Sequence, residues 1–176
     1  MNRLWLYLPL AVFSLLLGFA AYQLSQPKDE FVRSAMIGQP LPNFTLPAAL
    51  PGGQSVSAAD FADGQPRLLN FWASWCLPCV AEAPHLDTLR EEGATVVGIA
   101  IRDRPEDIAR FLGQHGNPYA AIASDDISAV QLALGSSGLP ETFVIDGEGV
   151  VRYQHIGDVR AEHVPVLLAE LRKAAR

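Results

Sequence analysis

Cys76 and Cys79 are the chain's only cysteines, and they stand two residues apart in Phe71-Trp72-Ala73-Ser74-Trp75-Cys76-Leu77-Pro78-Cys79. The apolar run before them, Arg67-Leu68-Leu69-Asn70-Phe71, predicts a buried strand, and Val80 to Glu92 predicts a helix. The chain must therefore turn from strand to helix at Cys76, with the first sulfur on the opening turn. Unpaired amides and the helix dipole there favour negative charge, so a thiolate is stabilised. A second sulfur close enough to close a ring with it makes the pair a candidate dithiol–disulfide exchange centre. Two other readings are weaker. A structural disulfide closing so small a loop removes little entropy from the unfolded chain. A zinc site lacks a second Cys pair, and His85, His115, His155 and His163 do not have paired ligand spacing. No metal and no cofactor is expected.

The chain has 176 residues, enough for one domain with a sizeable core. A formal charge of −6 argues against nucleic acid, which asks for a basic face. Protein or small-molecule partners remain. Leu4 to Leu24 carries no charge and consists mostly of Leu, Ala, Val and Phe. Twenty-one residues at about 1.5 Å each would cross the ~30 Å hydrocarbon core of a bilayer. Trp5, Tyr7 and Tyr22 sit near its ends, Arg3 precedes it, and Lys28, Asp29 and Glu30 follow it. By the positive-inside rule the amino end stays in the cytoplasm and the rest is exported. The alternative is a signal peptide cleaved after Gly18-Phe19-Ala20, but the apolar run continues past that point, which favours an uncleaved anchor. In a bacterium both readings deliver the domain to the periplasmic side of the inner membrane, where disulfides persist.

The expected organisation is an anchor over 1–24, a Pro-punctuated linker over 25–38 and a domain over 39–176. Asn43 to Leu46 and Gln54 to Val56 read as short strands around Pro51-Gly52-Gly53, followed by a helical turn with Ser57 as N-cap. After the first buried strand and its helix, Gly93 is a helix stop. Then come a strand over Thr95–Ile101, a helix over Pro105–Gln114, a strand over Tyr119–Ala123 and a short helix over Ser128–Leu134. Thr142–Ile145 and Val150–His155 flank the turn Asp146-Gly147-Glu148-Gly149, and Glu162–Lys173 closes the chain as a helix. This order is an α/β chain whose sheet ends in an antiparallel hairpin and a last helix.

The motif Trp72-Ala73-Ser74-Trp75-Cys76-Leu77-Pro78-Cys79 resembles the thioredoxin active site, and Pro84 matches that family's kinking proline. Gly138-Leu139-Pro140-Glu141-Thr142-Phe143-Val144-Ile145-Asp146 is similar to the segment where thioredoxin-like folds carry a cis-proline facing the dithiol. The Pro-Glu-Thr-Phe form resembles, more narrowly, the membrane-anchored thiol:disulfide interchange proteins of the DsbE/CcmG type, which serve cytochrome c maturation. Gly116-Asn117-Pro118-Tyr119 and Gly147-Glu148-Gly149-Val150-Val151-Arg152-Tyr153 resemble the same pattern, so the similarity covers about residues 40–172. It implies a thioredoxin-like fold and a cis bond before Pro140. The Leu139–Pro140 backbone would then meet an extended substrate strand, and Trp75 would form an apolar rim beside the sulfur.

One departure is informative. Thioredoxin carries a buried aspartate two residues before the first tryptophan of its motif, and here that residue is Asn70, which cannot take a proton. Glu82, three residues after Cys79, and Glu141, beside Pro140, resemble the acidic residues of the maturation subfamily and are the candidate proton acceptors. The resemblance implies that Cys76 attacks a disulfide in apocytochrome c or in an apocytochrome-handling protein. Cys79 then resolves the mixed disulfide, and a transmembrane thiol reductase restores the dithiol. The alternatives are an anchored reductant for another exported target, such as the copper site of cytochrome oxidase, and a copper chaperone using both thiolates.

Overall fold

The structure, a computed structural model, describes residues 7–25 and 34–176. The chain divides into a unit ending at Val32 and a unit from Arg33 to Arg176. The first contains α1 (Leu8–Ser25), a helix of 18 residues that is about 27 Å long at about 1.5 Å per residue. Large apolar side chains on it, among them Phe13, Leu15 and Phe19, are exposed. Among the described residues no helix is long and apolar enough to cross a membrane. Of the expected span, Leu4 to Leu6 lie outside the described residues, as do Arg3 and the charged flank Lys28 to Glu30.

The second unit starts before the boundary at 39 read from the sequence. The Ser34 N–H donates to Gln154 Oε1 at 2.6 Å, and its hydroxyl donates to the Leu134 carbonyl. The Gly38 N–H donates to the Val151 carbonyl at 2.7 Å. Residues 34–38 thus satisfy their polar groups against the domain and are part of it. A two-stranded ribbon follows, β1 (Thr45–Leu46) antiparallel to β2 (Val56–Ser57), with a 3₁₀ turn over Ala58–Phe61.

The main sheet has five strands: β3 (Arg67–Trp72), β4 (Val96–Ile101), β5 (Ala121–Asp125), β6 (Glu141–Ile145) and β7 (Val151–Ile156). Their order is β5-β4-β3-β6-β7. β3, β4 and β5 are parallel, joined through α2 (Leu77–Glu91) and α3 (Pro105–His115); β6 and β7 run antiparallel to their neighbours. α4 (Ala129–Ala133) precedes β6, and α5 (Val164–Ala174) ends the chain. This is the expected thioredoxin-like mixed sheet flanked by helices. The third strand begins two residues later than its apolar pattern suggests. Asn117 Oδ1 accepts from the Tyr119 N–H at 3.1 Å, a local turn that delays pairing until Ala121 meets Val97. Gly93, at φ +91°, ends α2 as expected.

Strand parity sorts the interior into two cores. Leu68 and Trp72 of β3, Ala100 of β4 and Val144 of β6 pack with α2, α3 and α5 on one face, and both cysteines belong to this cluster. Leu69, Phe71, Ile99, Phe143 and Ile145 pack on the other face with the β1–β2 ribbon and α4. Each of these large apolar side chains contributes roughly 1.5–3 kcal/mol by leaving water. Asn70 is paired with Thr142, and Phe71 with Glu141. Asn70 and Thr142 therefore look towards the dithiol's face, and Glu141 looks away from it.

Candidate active site

Cys76 is the N-cap of α2, and its Sγ accepts from the Cys79 N–H at 3.3 Å. The two are joined as a disulfide with Cα atoms 5.3 Å apart. Cys76 is 5 % and Cys79 2 % exposed, so the outer sulfur sits at the surface of its core and the second beneath it. The helix start supplies the amides expected to favour a Cys76 thiolate.

The loop before the dithiol is clamped by the end of β4. Ser74 Oγ donates to Asp103 Oδ1 at 2.7 Å, and the Ser74 N–H donates to the same carboxylate. Trp75 Nε1 donates to the Arg102 carbonyl at 3.3 Å, with Arg102 itself at φ +47°. Trp75 is 62 % exposed and Leu77 beside it is exposed as well, together an apolar rim next to Cys76. Opposite them the Leu139–Pro140 bond is cis. Its loop is held by Gln131 Nε2 and Ser136 Oγ, which donate to the Gly138 carbonyl. Between rim and loop lies an open groove of about 510 Å³ lined by Trp75, Cys76, Leu77, Arg102, Leu132 and Leu139.

The two candidate carboxylates are separated. Glu82 is 1 % exposed and lies on α2 one turn beyond Cys79, in the same core face. Its Oε1 accepts from Asn70 Nδ2 at 3.1 Å and its Oε2 from the Val159 N–H at 3.1 Å. Burial pushes its carboxyl up to about 8, despite those two donors, and Asp158 adds to the rise. Glu141 is wholly buried on the opposite face, accepting from the Ser137 N–H at 3.0 Å and from Gln154 Nε2. Burial raises its carboxyl too. The structure thus places Cys76, Cys79 and Glu82 along one helix, lines one groove with Trp75, Cys76 and Leu139, and seats Glu141 behind the sheet.

Asn70 is fully buried and is the hub of this face. Its Nδ2 also donates to Thr142 Oγ1 at 3.0 Å, and its Oδ1 accepts from the Tyr119 hydroxyl at 2.9 Å. Tyr119 in turn stacks on Trp72 with ring centroids 5.1 Å apart. Trp72 Nε1 is buried with no hydrogen-bond partner among the described residues. This packing needs a glycine at 98, where an added Cβ would meet Trp72 Nε1 and the Tyr119 ring at 2.8 Å. Gly98→Ala is therefore expected to lower stability by about 1–3 kcal/mol, visible as a reduced urea midpoint. Tyr119, Thr142, Val159 and Asp103 escaped the sequence reading as site residues. Tyr119 and Thr142 stand inside two of the motifs quoted above, but their partners lie far along the chain, and no local pattern marks Val159 or Asp103.

Residues 36–171 match the Redoxin family model. The thiol:disulfide interchange protein DsbE of Tatumella citrea is 40% identical over 166 residues, covering 92% of this chain and 90% of that protein. The protein of the same name from Escherichia coli strain K12 is 38% identical over 163 residues, covering 90% of this chain and 88% of its own length. Among solved structures, a thio-disulfide isomerase from Thermus thermophilus superposes with a TM-score of 0.62 at 33% identity, over 78% of this chain and 96% of that one. With its dithiol at a helix start, its cis-proline loop and these relatives, the chain belongs to the DsbE family of thiol:disulfide interchange proteins.

Proposed function

We propose that this protein is a membrane-anchored, periplasmic reductant of disulfides in apocytochrome c, or in a protein that handles it, before haem attachment. The observation that carries the exchange chemistry is the Cys76 sulfur opening α2 in the same groove as Leu139. The maturation role is supported by the resemblance of Pro140-Glu141-Thr142-Phe143 to the cytochrome c branch of the family. The uncharged run from Leu4 to Leu24 supports the anchor.

In the reducing direction the Cys76 thiolate attacks one sulfur of the substrate disulfide. A Cys76–substrate bond forms, and the other substrate sulfur leaves with the electron pair. Cys79 then gives its proton to Glu82 in its ionised form, whose share grows as pH rises towards 8, and attacks Cys76 Sγ. The Cys76–Cys79 disulfide forms, and the second substrate sulfur departs as a thiolate. Glu82 holds this role because it shares the helix and core face of Cys79. Glu141 holds the loop leading into β6 through the Ser137 amide. A transmembrane thiol reductase supplies the two electrons that restore the dithiol. Deleting the gene should abolish covalent cytochrome c, and an external thiol reductant should restore much of it. Unchanged cytochrome c content in the deletion strain would refute the maturation role.

A further inference from the structure

The Asn70 amide has two chemically different edges, and a neighbouring hydroxyl decides which one Glu82 meets. In the observed arrangement Tyr119 donates to Asn70 Oδ1 at 2.9 Å, which leaves Nδ2 facing Glu82 Oε1 at 3.1 Å and Thr142 Oγ1 at 3.0 Å. All four side chains are buried, Tyr119 at 9 % exposure and the others at 1 % or less, so water does not replace a lost partner. An N–H aimed at a carboxylate stabilises its charged form. An amide turned over would aim Oδ1 at Glu82, and only a protonated carboxyl can bond an oxygen. In that orientation Thr142 would donate to Oδ1 and Nδ2 would face the Tyr119 oxygen. Both arrangements satisfy the network, but they favour opposite protonation states of Glu82.

We propose that Tyr119 is a positioning residue for the resolving step: by donating to Asn70 it holds the N–H edge towards Glu82 and keeps that carboxyl ready to accept the Cys79 proton. The inference rests on Glu82 as proton acceptor. In the step it serves, the proton leaves Cys79 Sγ for Glu82, the Cys79 thiolate forms the bond to Cys76 Sγ, and the substrate thiolate leaves with the electrons of the broken bond. That substrate sulfur or solvent takes up the proton when Glu82 releases it. Among the described residues the ionisable groups facing Glu82 are Tyr119 and Asp158 of the β7–α5 loop, while Cys79 stands one turn away on the same helix. Asp158 is bonded to Arg160 Nε at 2.8 Å, and its backbone carbonyl to the ring of His155 at 3.2 Å. The partners of Asp158 do not include the Tyr119 hydroxyl, which bonds to Asn70.

Tyr119→Phe deletes the donor and keeps the ring stacked on Trp72. The test follows the Glu82 carboxyl by carbon-13 NMR in the labelled full-length protein, together with the pH profile of mixed-disulfide resolution. The Glu82 titration is expected to move up by about one pH unit, the size set by one hydrogen bond to a charged group. Resolution at neutral pH should slow by up to tenfold and recover at higher pH, while the initial attack by Cys76 is unchanged. In an Asn70→Ala background, where the coupling is already broken, Tyr119→Phe should produce no further movement. Phe111→Leu, which disturbs the same aromatic packing without touching Asn70, should lower stability and leave the titration in place. An unmoved Glu82 titration in folded Tyr119→Phe protein would overturn the proposal. So would an equal movement in Phe111→Leu, which also decides the matter if Tyr119→Phe does not fold. A moved titration with an unmoved resolution profile would uphold the Tyr119–Asn70–Glu82 coupling and remove Glu82 as the acceptor.

Discussion

Cys79→Ser protein, reduced and then offered a disulfide substrate, will accumulate a covalent adduct on Cys76, whereas Cys76→Ser protein will form none. The outer sulfur is the N-cap of α2 and faces the groove, so it begins the attack. The second, 2 % exposed, reaches only a bond already formed on its neighbour. Removing it leaves release to external thiols, which lack the proximity of a sulfur held in the same helical turn. Turnover should fall roughly a thousandfold or more, given the effective concentrations that tethering provides. Non-reducing electrophoresis with mass spectrometry would identify the trapped partners. Adducts containing apocytochrome c, a maturation protein or a membrane reductase are the expected result. Equal trapping by the two variants would reverse the roles given to the sulfurs.

Glu82→Gln should make the protein more stable at alkaline pH and a poorer catalyst. Burial lifts the Glu82 carboxyl from an ordinary 4.5 to about 8. Between those values the folded protein keeps a proton that the unfolded chain has released. Stability from this group is therefore full below about 4.5, declines as pH rises, and is spent once pH passes about 8. A displacement of that size is worth on the order of 5 kcal/mol at full effect. Gln cannot titrate, and its single acceptor oxygen can serve only one of the two donors that Glu82 satisfies, Asn70 Nδ2 and the Val159 N–H, so it carries a cost that does not change with pH. The parent's urea midpoint should be the higher at acidic pH, by the cost of the one unmet donor, and the difference should move in the variant's favour by a few kcal/mol towards the alkaline end. Resolution at neutral pH should slow by about 10²–10⁴, the usual contribution of a positioned base. A constant difference in midpoint across this range would show that Glu82 does not hold the displaced proton.

The exchange centre was legible because its parts are local: an apolar strand, a turn and a helix start specify where Cys76 must sit. The cis bond at Pro140 was legible only by resemblance, since a trans-proline is the ordinary expectation for such a segment. What escaped was tertiary. Glu82 lies between Ala81 and Ala83 on a helix, and nothing nearby says it is sealed from water by Val159, a residue delivered by the β7–α5 loop. Glu141 looked equivalent to Glu82 because it adjoins Pro140, yet parity assigns the two to opposite faces once Phe71 is known to pair with Glu141. The domain boundary shifted for a similar reason. Residues 34–38 look like tether by composition, and their partners Leu134, Val151 and Gln154 are 100 or more residues away.

The clamp on the Ser74–Trp75 loop has a consequence for how flux is controlled. Its hydrogen bonds run to Asp103 and Arg102, and neither sulfur takes part in them. The face beside the dithiol is thus set by bonds in which neither sulfur takes part, and they are expected to persist when the disulfide is reduced. A spent copy presents the same landing site as a charged copy, and the two compete for each partner. Throughput then follows the ratio of charged to spent protein, not the total amount. Supplying electrons faster, and not making more of the protein, is what would raise output.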